Sequence, residues 1–376
     1  MQIPFNKPLV LGTEKANITD VLDSGNVAAN GSFTKKCHQF LQTELNYDKS
    51  FLTTSCTSAL ELAALLLDIV PGDEVIVPSY AFVTTANAFA TKGAKIVFCD
   101  SREDNPNIDE TAIERLISPK TKAIVALHYG GVPCTMDAIM AVAKKHSVAV
   151  IEDNAQGIGS FYNGKPLGGI GDLGAISFHE TKNIQCGEGG AFLVNNAELT
   201  ERASVVWEMG TNKADFRLGK VSSYGWVDVG SSFYPSELNA AFLFAQLSEL
   251  KKVNEKRMEL WNVYYSQLSD LGNQGFFKLP QILEGAVHNA HTFYLVTNSK
   301  EERNKLIRGL AEEGISAPFH FQSLHKSAFF EDKYDGPSLS NSDRFSDCLM
   351  RLPLYHELRA DQQQYVISSV RKFYGD

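Results

Sequence analysis

The sequence contains no long apolar run. Hydrophobic residues make up 44% of the 376 positions, yet no stretch approaches the roughly 20 consecutive apolar residues that a membrane-spanning helix requires. Residues 1–8 also lack the apolar core of a secretory signal peptide. We therefore expect neither a membrane span nor a cleaved signal, and we expect a cytoplasmic location.

Cysteine is scarce, and the six residues show no paired CxxC spacing. They are Cys37, Cys56, Cys99, Cys134, Cys186 and Cys348. Zinc sites and disulfide frameworks usually appear in a sequence as closely spaced cysteine pairs, so this pattern predicts neither. Cys56 and Cys186 are interpreted as small packing residues.

The chain has fewer positive than negative side chains. It contains 35 lysine and arginine residues and 44 aspartate and glutamate residues, which gives a net charge of −9. A general nucleic-acid-binding surface needs a basic excess, so this balance argues against one. It does not exclude a nucleotide-sugar ligand, since a local basic patch can hold a diphosphate in an acidic protein.

Strand-like and helix-like segments alternate over the first two-thirds of the chain. The strand-like segments are residues 51–54, 74–77, 95–99, 123–127, 148–151, 175–178 and 191–194. Intervening segments such as residues 136–146 have helical periodicity. This alternation predicts an α/β fold with a mainly parallel central sheet that helices cover on both faces.

The pattern changes after about Leu247. Residues 246–271 form a long amphipathic stretch that is rich in Glu, Lys and Leu and contains no proline. A chain of this length can hold one large and one smaller domain. We predict a large domain of residues 1–247, including an N-terminal segment, and a smaller C-terminal α+β domain of residues 248–376.

Lys182 follows the apolar segment 175–178 and precedes the glycine-rich residues 187–190. A lysine just past a short strand, with glycines behind it that let the backbone turn, can present one amine inside a cleft. Such an amine can form a Schiff base with an aldehyde. An exposed loop lysine is the simpler interpretation when Lys182 is considered alone, and the upstream residues change that interpretation.

Asp153 ends the apolar segment 148–151 together with Glu152. The carboxyl ends of strands in an open parallel sheet form a ligand crevice, so Asp153 and Lys182 can meet there. Pyridoxal 5'-phosphate (PLP) needs a lysine for its aldehyde and an anion that keeps its ring nitrogen protonated. Asp153 is the candidate anion, and capping of a following helix remains an alternative.

Hydroxyl residues lie between the strand-like residues 51–54 and an Ala/Leu-rich helix. The positive helix start with the hydroxyls of Thr57 and Ser58 suits a phosphate dianion, although an ordinary Ser/Thr cap remains an alternative. Phe82 follows residues 74–77 and is a candidate to cover one face of a flat ring, with core packing as the alternative.

The order of phosphate cup, aromatic residue, acid and lysine resembles that of the fold type I PLP enzymes. The segments that carry a closer resemblance, to the DegT/DnrJ/EryC1/StrS sugar aminotransferases, are residues 78–87, 152–157, 177–183 and 187–190. The resemblance extends from residue 3 to residue 355. The form of residues 179–183, together with residues 64–75, most resembles members that make a dTDP-linked 4-amino-4,6-dideoxyhexose.

This resemblance implies a role for each matching residue. Lys182 would hold PLP and move protons, with L-glutamate as amino donor and a nucleotide-linked keto-6-deoxysugar as acceptor. Asp153 would pair with the ring nitrogen and Gln156 would contact the ring hydroxyl. The residues implied for ring stacking and for the phosphate are Phe82, Thr57, Ser58 and Ser177.

The resemblance also implies a homodimer with the active site at the subunit interface. Many relatives have an asparagine near Ser232 that reaches the neighbouring subunit's cofactor phosphate, so in this chain the contact is either absent or made by the serine hydroxyl. For the sugar nucleotide we select His320 and His325, and for its diphosphate the loop from Lys213 to Lys220. A solvated loop and ordinary hydrogen-bonded histidines remain alternatives.

Two other functions are weighed against this hypothesis. Residues 169–174 have the spacing G-x-G-x-x-G of a dinucleotide-binding loop, but they follow a polar turn and precede a strand, whereas that fingerprint opens a helix. A sensor without turnover is disfavoured by intact Lys182 and Asp153. Relatives with histidine at the lysine position dehydrate sugars, so Lys182 favours transamination. A 3-keto or 4-keto sugar, a galacto or gluco product, and the nucleotide all remain open.

Overall fold

The computed structural model of the chain describes residues 2–375. Helices and strands alternate in its first part, as the sequence predicts. In chain order the elements are α1 (Glu14–Ser24), α2 (Ser32–Thr43), β1 (Ser50–Thr53), α3 (Cys56–Leu66), β2 (Glu74–Pro78), α4 (Val83–Ala90), β3 (Lys95–Cys99), α5 (Glu110–Ile113), β4 (Thr121–Leu127), α6 (Met136–His146), β5 (Ala149–Asn154), β6 (Phe161–Tyr162), β7 (Lys165–Pro166), β8 (Leu173–Ser177), β9 (Gly190–Val194) and α7 (Thr200–Trp207).

The rest of the chain is richer in helix. Its elements are α8 (Lys213–Arg217), α9 (Glu237–Leu247), α10 (Leu250–Asn273), β10 (Phe277–Lys278), β11 (Ala286–Val287), β12 (Phe293–Thr297), α11 (Lys300–Glu312), α12 (Ser340–Cys348), β13 (Leu349–Leu352) and α13 (Ala360–Phe373). The long helix that the sequence places at residues 246–271 is α10. Residues 246 and 247 belong instead to α9, which ends at Leu247 before α10 starts at Leu250.

Seven strands form the main sheet in the order β1-β9-β8-β5-β4-β2-β3. Neighbouring strands from β8 to β3 pair in parallel, while β9 is antiparallel to both β1 and β8. Val75 and Val77 of β2 pack in one apolar cluster with Leu62 of α3, while Ile76 packs in another with Ile139 of α6. Both faces of the mainly parallel sheet are therefore covered, and the predicted fold class is confirmed.

The strands β2, β4, β5 and β8 point in one direction, so their carboxyl ends meet at one edge of the sheet. Their last residues are Pro78, Leu127, Asn154 and Ser177. Loops that leave this edge carry polar side chains to a common region, as expected for an open parallel sheet. This edge positions the candidate site.

A second sheet of three strands, in the order β10-β12-β13, is antiparallel. Leu260 of α10, Phe293 of β12 and Ile367 of α13 share its apolar cluster, which is separate from those around the main sheet. The division into residues 1–247 and 248–376 stays a prediction. Among residues 2–375, no helix is both long and apolar enough to cross a bilayer. The cytoplasmic location also stays a prediction.

Candidate active site

A cavity of about 560 Å³ opens at the carboxyl edge of the main sheet. A volume of this size suits a small organic ligand. The strand ends of the main sheet, with the loops and the helix start beside them, contribute Ser55, Cys56, Thr57, Phe82, Asp153, Gln156, Ser177 and Lys182 to its lining. Later parts of the chain contribute His291, His320, Phe321 and Arg351. The cavity therefore joins residues that are distant in the sequence.

Lys182 lies in the connection from β8 to β9. Backbone hydrogen bonds from Glu180 to Gly187 (2.9 Å) and from Cys186 to Phe178 (2.9 Å) close this connection into a narrow loop. Gly187 has a φ of 77°, a backbone conformation that residues with a side chain rarely adopt. The loop presents the half-buried Lys182 side chain to the cavity.

The surroundings of the Lys182 amine favour its neutral form. Burial lowers its pKa from the usual value, and the nearby Cys56 thiol and Asp153 carboxylate partly oppose that shift. A neutral amine is the nucleophile that condenses with a carbonyl, so the lowered pKa raises the reactive fraction at neutral pH. Cys56, which the sequence predicts to be a packing residue, contacts the core and also lines the cavity.

Asp153 is buried on β5, with a relative exposure of 3%. Its Oδ2 accepts the Thr85 hydroxyl (2.7 Å) and its Oδ1 accepts the Ala155 N–H (3.2 Å). Burial raises its pKa, while the Thr85 hydrogen bond and the charge of Lys182 are among the effects that oppose the rise. Within residues 2–375 it has no ion-pair partner, so a cationic ring nitrogen fits this carboxylate.

A turn, not a helix, follows Asp153, so the alternative of a helix cap does not hold. The strand also extends past the predicted strand-like residues 148–151 and includes Asp153, since β5 ends at Asn154.

The start of α3 forms a cup on one side of the cavity. Ser55 caps the helix, and its Oγ accepts the Ser58 N–H (3.0 Å). A Cβ atom added to Gly190 would lie 2.4 Å from the Ser55 carbonyl carbon and 2.6 Å from the Cys56 nitrogen. Only glycine lets β9 pass this close to the helix start, whose backbone N–H groups and dipole suit a phosphate.

The hydroxyls near this cup have different positions. Thr57 and Ser177 line the cavity, as expected of phosphate ligands. Ser58 is outside the cavity lining of the single chain, and its Oγ lies 2.8 Å from the Thr54 hydroxyl and 3.1 Å from the Ser55 Oγ. Its predicted contact with the phosphate stays a prediction. Sequence reasoning missed Ser55, although a serine directly ahead of an Ala/Leu-rich helix is a typical cap.

Gln156 and Phe82 lie on the cavity wall. The Gln156 Oε1 accepts the Gly130 N–H (2.6 Å), which orients the amide so that its NH₂ group is the one available to a ligand. Phe82 is 55% exposed, which rules out core packing. Its ring centroid lies 6.2 Å from that of Phe321, so it flanks the cavity as a ring-stacking residue would.

The cavity lining of the described chain includes three histidines, His179, His291 and His320, and of these His320 was a sequence candidate. The predicted His320 has its Nδ1 2.7 Å from the Tyr129 hydroxyl, while His291 has its Nδ1 3.1 Å from the Asn183 Oδ1. Burial lowers the pKa of both imidazoles well below the usual value, and the charges of Arg351 and Lys182 lower it further. Both rings are therefore neutral at pH 7 and can exchange hydrogen bonds with uncharged groups.

His325 does not line the cavity. Its Nδ1 is 2.7 Å from the Ser79 Oγ, and its Nε2 is 3.6 Å from the Asp343 Oδ1. The buried ring thus connects the end of β2 to α12. This placement does not support the predicted substrate contact, and it agrees with the alternative of an ordinary hydrogen-bonded histidine.

Three further candidates lie outside the cavity lining of the single chain. The Lys213 ammonium lies 5.1 Å from the centroid of the Tyr224 ring, and Lys220 pairs with Asp215 (3.3 Å). Ser232 is exposed beside Glu208. The predicted diphosphate contacts of Lys213 and Lys220, and the predicted contact of Ser232 with a neighbouring subunit, stay predictions.

Residues 169–172 of the glycine-rich segment 169–174 form the turn that leads into β8, which begins at Leu173. The backbone N–H groups of this turn do bind an anion, but that anion is a carboxylate side chain of the same protein. The Glu152 carboxylate accepts the N–H groups of Gly168 (2.7 Å), Ile170 (2.6 Å) and Gly171 (2.6 Å), and it also contacts His128 (2.8 Å). These N–H groups are therefore not free for a dinucleotide.

Comparison with known proteins gives a consistent result. The model of the DegT/DnrJ/EryC1/StrS aminotransferase family matches residues 10–371. DesV from S. venezuelae, solved in complex with a ketimine intermediate, is 29% identical over 100% of this chain and 99% of that chain, with a TM-score of 0.91.

Two further solved structures are similar over the same length. Helicobacter pylori PseC, an aminotransferase involved in the biosynthesis of pseudoaminic acid, is 26% identical over 100% of this chain and 99% of that chain, with a TM-score of 0.91. Spr1654 from Streptococcus pneumoniae, in its PMP form, is 25% identical over 99% of each chain, with a TM-score of 0.91.

Proposed function

This chain belongs to the DegT/DnrJ/EryC1/StrS aminotransferase family, and we propose that it aminates a nucleotide-linked keto-6-deoxysugar. It is a PLP-dependent sugar aminotransferase. The proposed acceptor is dTDP-4-keto-6-deoxyglucose, the product is dTDP-4-amino-4,6-dideoxygalactose, and L-glutamate is the donor. The observation that carries the proposal is one cavity that holds Lys182, Asp153 and the start of α3.

The described residues fit the cofactor. Bound PLP supplies an aldehyde and an electron-withdrawing ring that stabilises negative charge when a proton leaves the substrate carbon. Lys182 would hold the aldehyde end, Asp153 would hold the proton on the ring nitrogen, and the Ser55 and Thr57 side of the cup would receive the phosphate. The Nζ of Lys182 would be the base that takes and returns the proton at the reacting carbon of the substrate.

The choice of sugar has two supports. The sequence of residues 179–183 resembles that of family members that make this dTDP-linked aminosugar. His291 and His320 are neutral, and neutral imidazoles suit the hydroxyl groups of a sugar ring. The alternatives are a dTDP-3-keto-6-deoxyhexose, a gluco-configured 4-amino product, and a UDP- or GDP-linked sugar.

The first test is turnover. Incubation with PLP, L-glutamate and dTDP-4-keto-6-deoxyglucose is expected to give the 4-amino-4,6-dideoxygalactose nucleotide, identified by the proton couplings of its ring in NMR. Omission of L-glutamate is the control, and it should leave the keto sugar unchanged beyond one turnover. Amination of a 3-keto isomer or of a UDP-sugar, without amination of the dTDP-4-keto sugar, would contradict the assignment.

We also propose that the enzyme is a homodimer whose active sites lie at the subunit interface. The segment that ends at Ser232 exposes an unusual set of apolar side chains, and clustered exposed apolar surface marks protein contacts. They are Phe216, Leu218, Tyr224, Trp226, Val227 and Val229. Trp226 is 82% exposed in the single chain, so burial against a second copy would stabilise a dimer.

Trp226→Asp is expected to shift the protein from dimer to monomer in sedimentation velocity and to weaken PLP binding. A charge placed in a buried apolar contact is costly, and loss of the neighbour removes the Ser232 contact. Val70→Asp, at a position that is 53% exposed outside this segment, is the matched control. A wild-type monomer, or a fully dimeric Trp226→Asp protein, would contradict the proposed interface.

A further inference from the structure

Thr292 has a buried hydroxyl without a hydrogen-bond partner among the described residues. It directly precedes β12, lines the active cavity and is only 6% exposed. At the other end of the same strand, the Thr297 hydroxyl donates to the Ser299 carbonyl (2.9 Å). Buried hydroxyls in folded proteins are normally satisfied in this way. A ligand is therefore the expected partner of the Thr292 hydroxyl.

The strand places the Thr292 side chain on the cavity side of the second sheet. Successive side chains of a strand point to opposite faces. Phe293 belongs to the apolar cluster of the second sheet, whereas the Tyr294 ring lies 5.7 Å, between centroids, from the ring of Tyr129 just after β4. Thr292 shares the face of Tyr294, and so does Arg351, which is opposite Tyr294 on β13 and also lines the cavity. The alternation thus agrees with the place of Thr292 in the cavity lining.

Thr292 is close to the end of the cavity where the amine is transferred. A Cβ atom added to Gly130 would lie 3.2 Å from the Thr292 Cγ2, and the Gly130 N–H donates to the Gln156 Oε1 (2.6 Å). The preceding residue, His291, has its Nδ1 3.1 Å from the Oδ1 of Asn183, which follows the candidate catalytic lysine. The methyl group takes the side of Gly130, so the hydroxyl occupies a different staggered position. A group that meets this hydroxyl therefore lies near the reacting carbon.

The surroundings of the hydroxyl favour an uncharged ligand group. A threonine hydroxyl can donate one hydrogen bond and accept others, which matches a hydroxyl of the ligand. The nearby imidazoles of His291 and His320 are neutral, because burial lowers their pKa well below the usual value. L-Glutamate has two carboxylates and an amine but no hydroxyl. A 4-keto and a 3-keto hexose each have a hydroxyl on a carbon beside the carbonyl.

We propose that Thr292 is a specificity-determining residue that hydrogen-bonds the sugar hydroxyl beside the keto carbon, which rests on the aminotransferase function proposed above. This contact orients the ring over the cofactor and distinguishes such sugars from deoxy sugars that lack the hydroxyl. A buried protein hydroxyl discriminates in this way because an analogue without the matching group leaves it unpaired. The contact does not depend on whether C3 or C4 of the sugar is aminated.

The test uses the second half-reaction, in which the aminated enzyme passes its amine to the keto sugar and returns to the PLP form. Single-turnover absorbance compares dTDP-4-keto-6-deoxyglucose with its 3-deoxy analogue. The preference for the 3-hydroxy sugar should be at least ~10-fold greater in wild type than in Thr292→Val, which has nearly the same shape. The hydroxyl also withdraws electrons from the carbonyl, but this effect is common to both enzymes and cancels in the comparison. Thr292→Ser, which keeps the hydroxyl, should retain most of the preference.

A binding measurement provides a readout that does not depend on turnover. The probe is dTDP-6-deoxygalactose, in which a hydroxyl replaces the keto group so that no amine can be transferred. Calorimetry should show that it binds the PLP form of Thr292→Val ~10-fold more weakly than wild type. dTDP alone has no sugar, so it should bind both proteins equally.

Two further measurements separate substrate recognition from a structural role. Without a ligand, Thr292→Val should unfold at the same or a higher temperature than wild type, because a methyl group replaces an unpartnered buried hydroxyl. The rate of the half-reaction with L-glutamate should stay within about twofold of wild type, and the visible absorbance of bound PLP should not change. Thr43→Val, which removes an exposed hydroxyl of α2, is the matched control and should be within about twofold of wild type in every measurement.

An equal preference for the 3-hydroxy sugar in wild type and Thr292→Val would overturn the proposal. A slow reaction of Thr292→Val with L-glutamate, or an altered PLP absorbance, would overturn it too, since the hydroxyl would then serve the donor or the cofactor. If turnover selects a 3-keto sugar, the same comparison uses its 4-deoxy analogue. A wild-type protein that shows neither half-reaction would contradict the proposed function instead, and the two binding measurements would still decide whether Thr292 contacts a sugar hydroxyl.

Discussion

Lys182→Ala is expected to abolish transamination and to remove the visible absorbance that PLP shows when it is bound to a lysine. No other lysine lines the cavity among residues 2–375, so no second amine can replace its linkage to the aldehyde or its proton transfer. Loss of a positioned base alone costs ~10²- to 10⁴-fold, and loss of the nucleophile adds to it. Turnover assays and absorbance spectra of the purified protein with PLP provide the measurement.

The control for this experiment is Lys251→Ala, which removes an exposed lysine of α10 and should leave both spectrum and turnover unchanged. Thermal unfolding should show that Lys182→Ala is folded and at least as stable as wild type without PLP. Burial disfavours the charged amine of Lys182, so its removal relieves a cost instead of creating one. Residual turnover above a few per cent would contradict the role of Lys182 as the catalytic lysine.

Asp153→Asn is the second change with a large expected effect. The variant should still bind PLP through Lys182, but the rate of the glutamate half-reaction should fall by ~10²- to 10⁴-fold, the range that a positioned acid–base group contributes. The amide has nearly the same shape and can keep the Thr85 hydrogen bond. It has no negative charge to hold the proton on the ring nitrogen. Single-turnover absorbance measurements with L-glutamate provide the rate.

Thr85→Val gives a graded comparison, because it removes the hydroxyl that donates to the Asp153 Oδ2 and leaves the carboxylate in place. Its rate should fall by about 10-fold, the equivalent of one hydrogen bond to a charged group. An Asp153→Asn enzyme that reacts with L-glutamate as fast as Thr85→Val would show that the Asp153 charge is not needed.

Asp153→Asn, which should slow the half-reaction, should not lower the stability of the protein without PLP. Burial raises the pKa of Asp153 above its usual value, so the folded protein penalises the carboxylate as the pH rises through that raised pKa. Asp153→Asn removes this penalty, and the cofactor-free variant should unfold at the same or a higher temperature near neutral pH. The charge of the Asp153 carboxylate therefore serves the function of the protein, although burial of that charge disfavours the folded state.

Much of the fold and part of the site are readable from short segments of sequence. The mainly parallel sheet follows from seven short apolar segments, the first five of which are separated by helical ones, and the structure confirms it. Lys182 and Asp153 are recognisable because Asp153 lies near the carboxyl end of β5 and Lys182 lies in the loop after β8, and strand ends in a parallel sheet share one edge. The exclusion of a dinucleotide loop at residues 169–174 depends on the same local context, a turn before a strand.

It was less predictable from the sequence which of two similar residues, close together in the chain, faces the cavity. Ser55 and Ser58 are both serines near the start of α3, but only the backbone decides which one caps the helix and which one faces away from the cavity. His320 and His325 are five residues apart in the same segment. One lines the cavity, while Ser79 and Asp343 hold the other.

By itself the sequence determined the class of fold and the cofactor chemistry, and it predicted Lys182 and Asp153 as the lysine and the acid, because these depend on periodicity and on neighbours along the chain. Only the tertiary structure decided that His291 and Arg351 share a cavity with Lys182. Arg351 lies on the second sheet and is 169 residues from Lys182 in the sequence. No local pattern encodes whether a charged side chain finds a partner, since that depends on which distant segments pack around it.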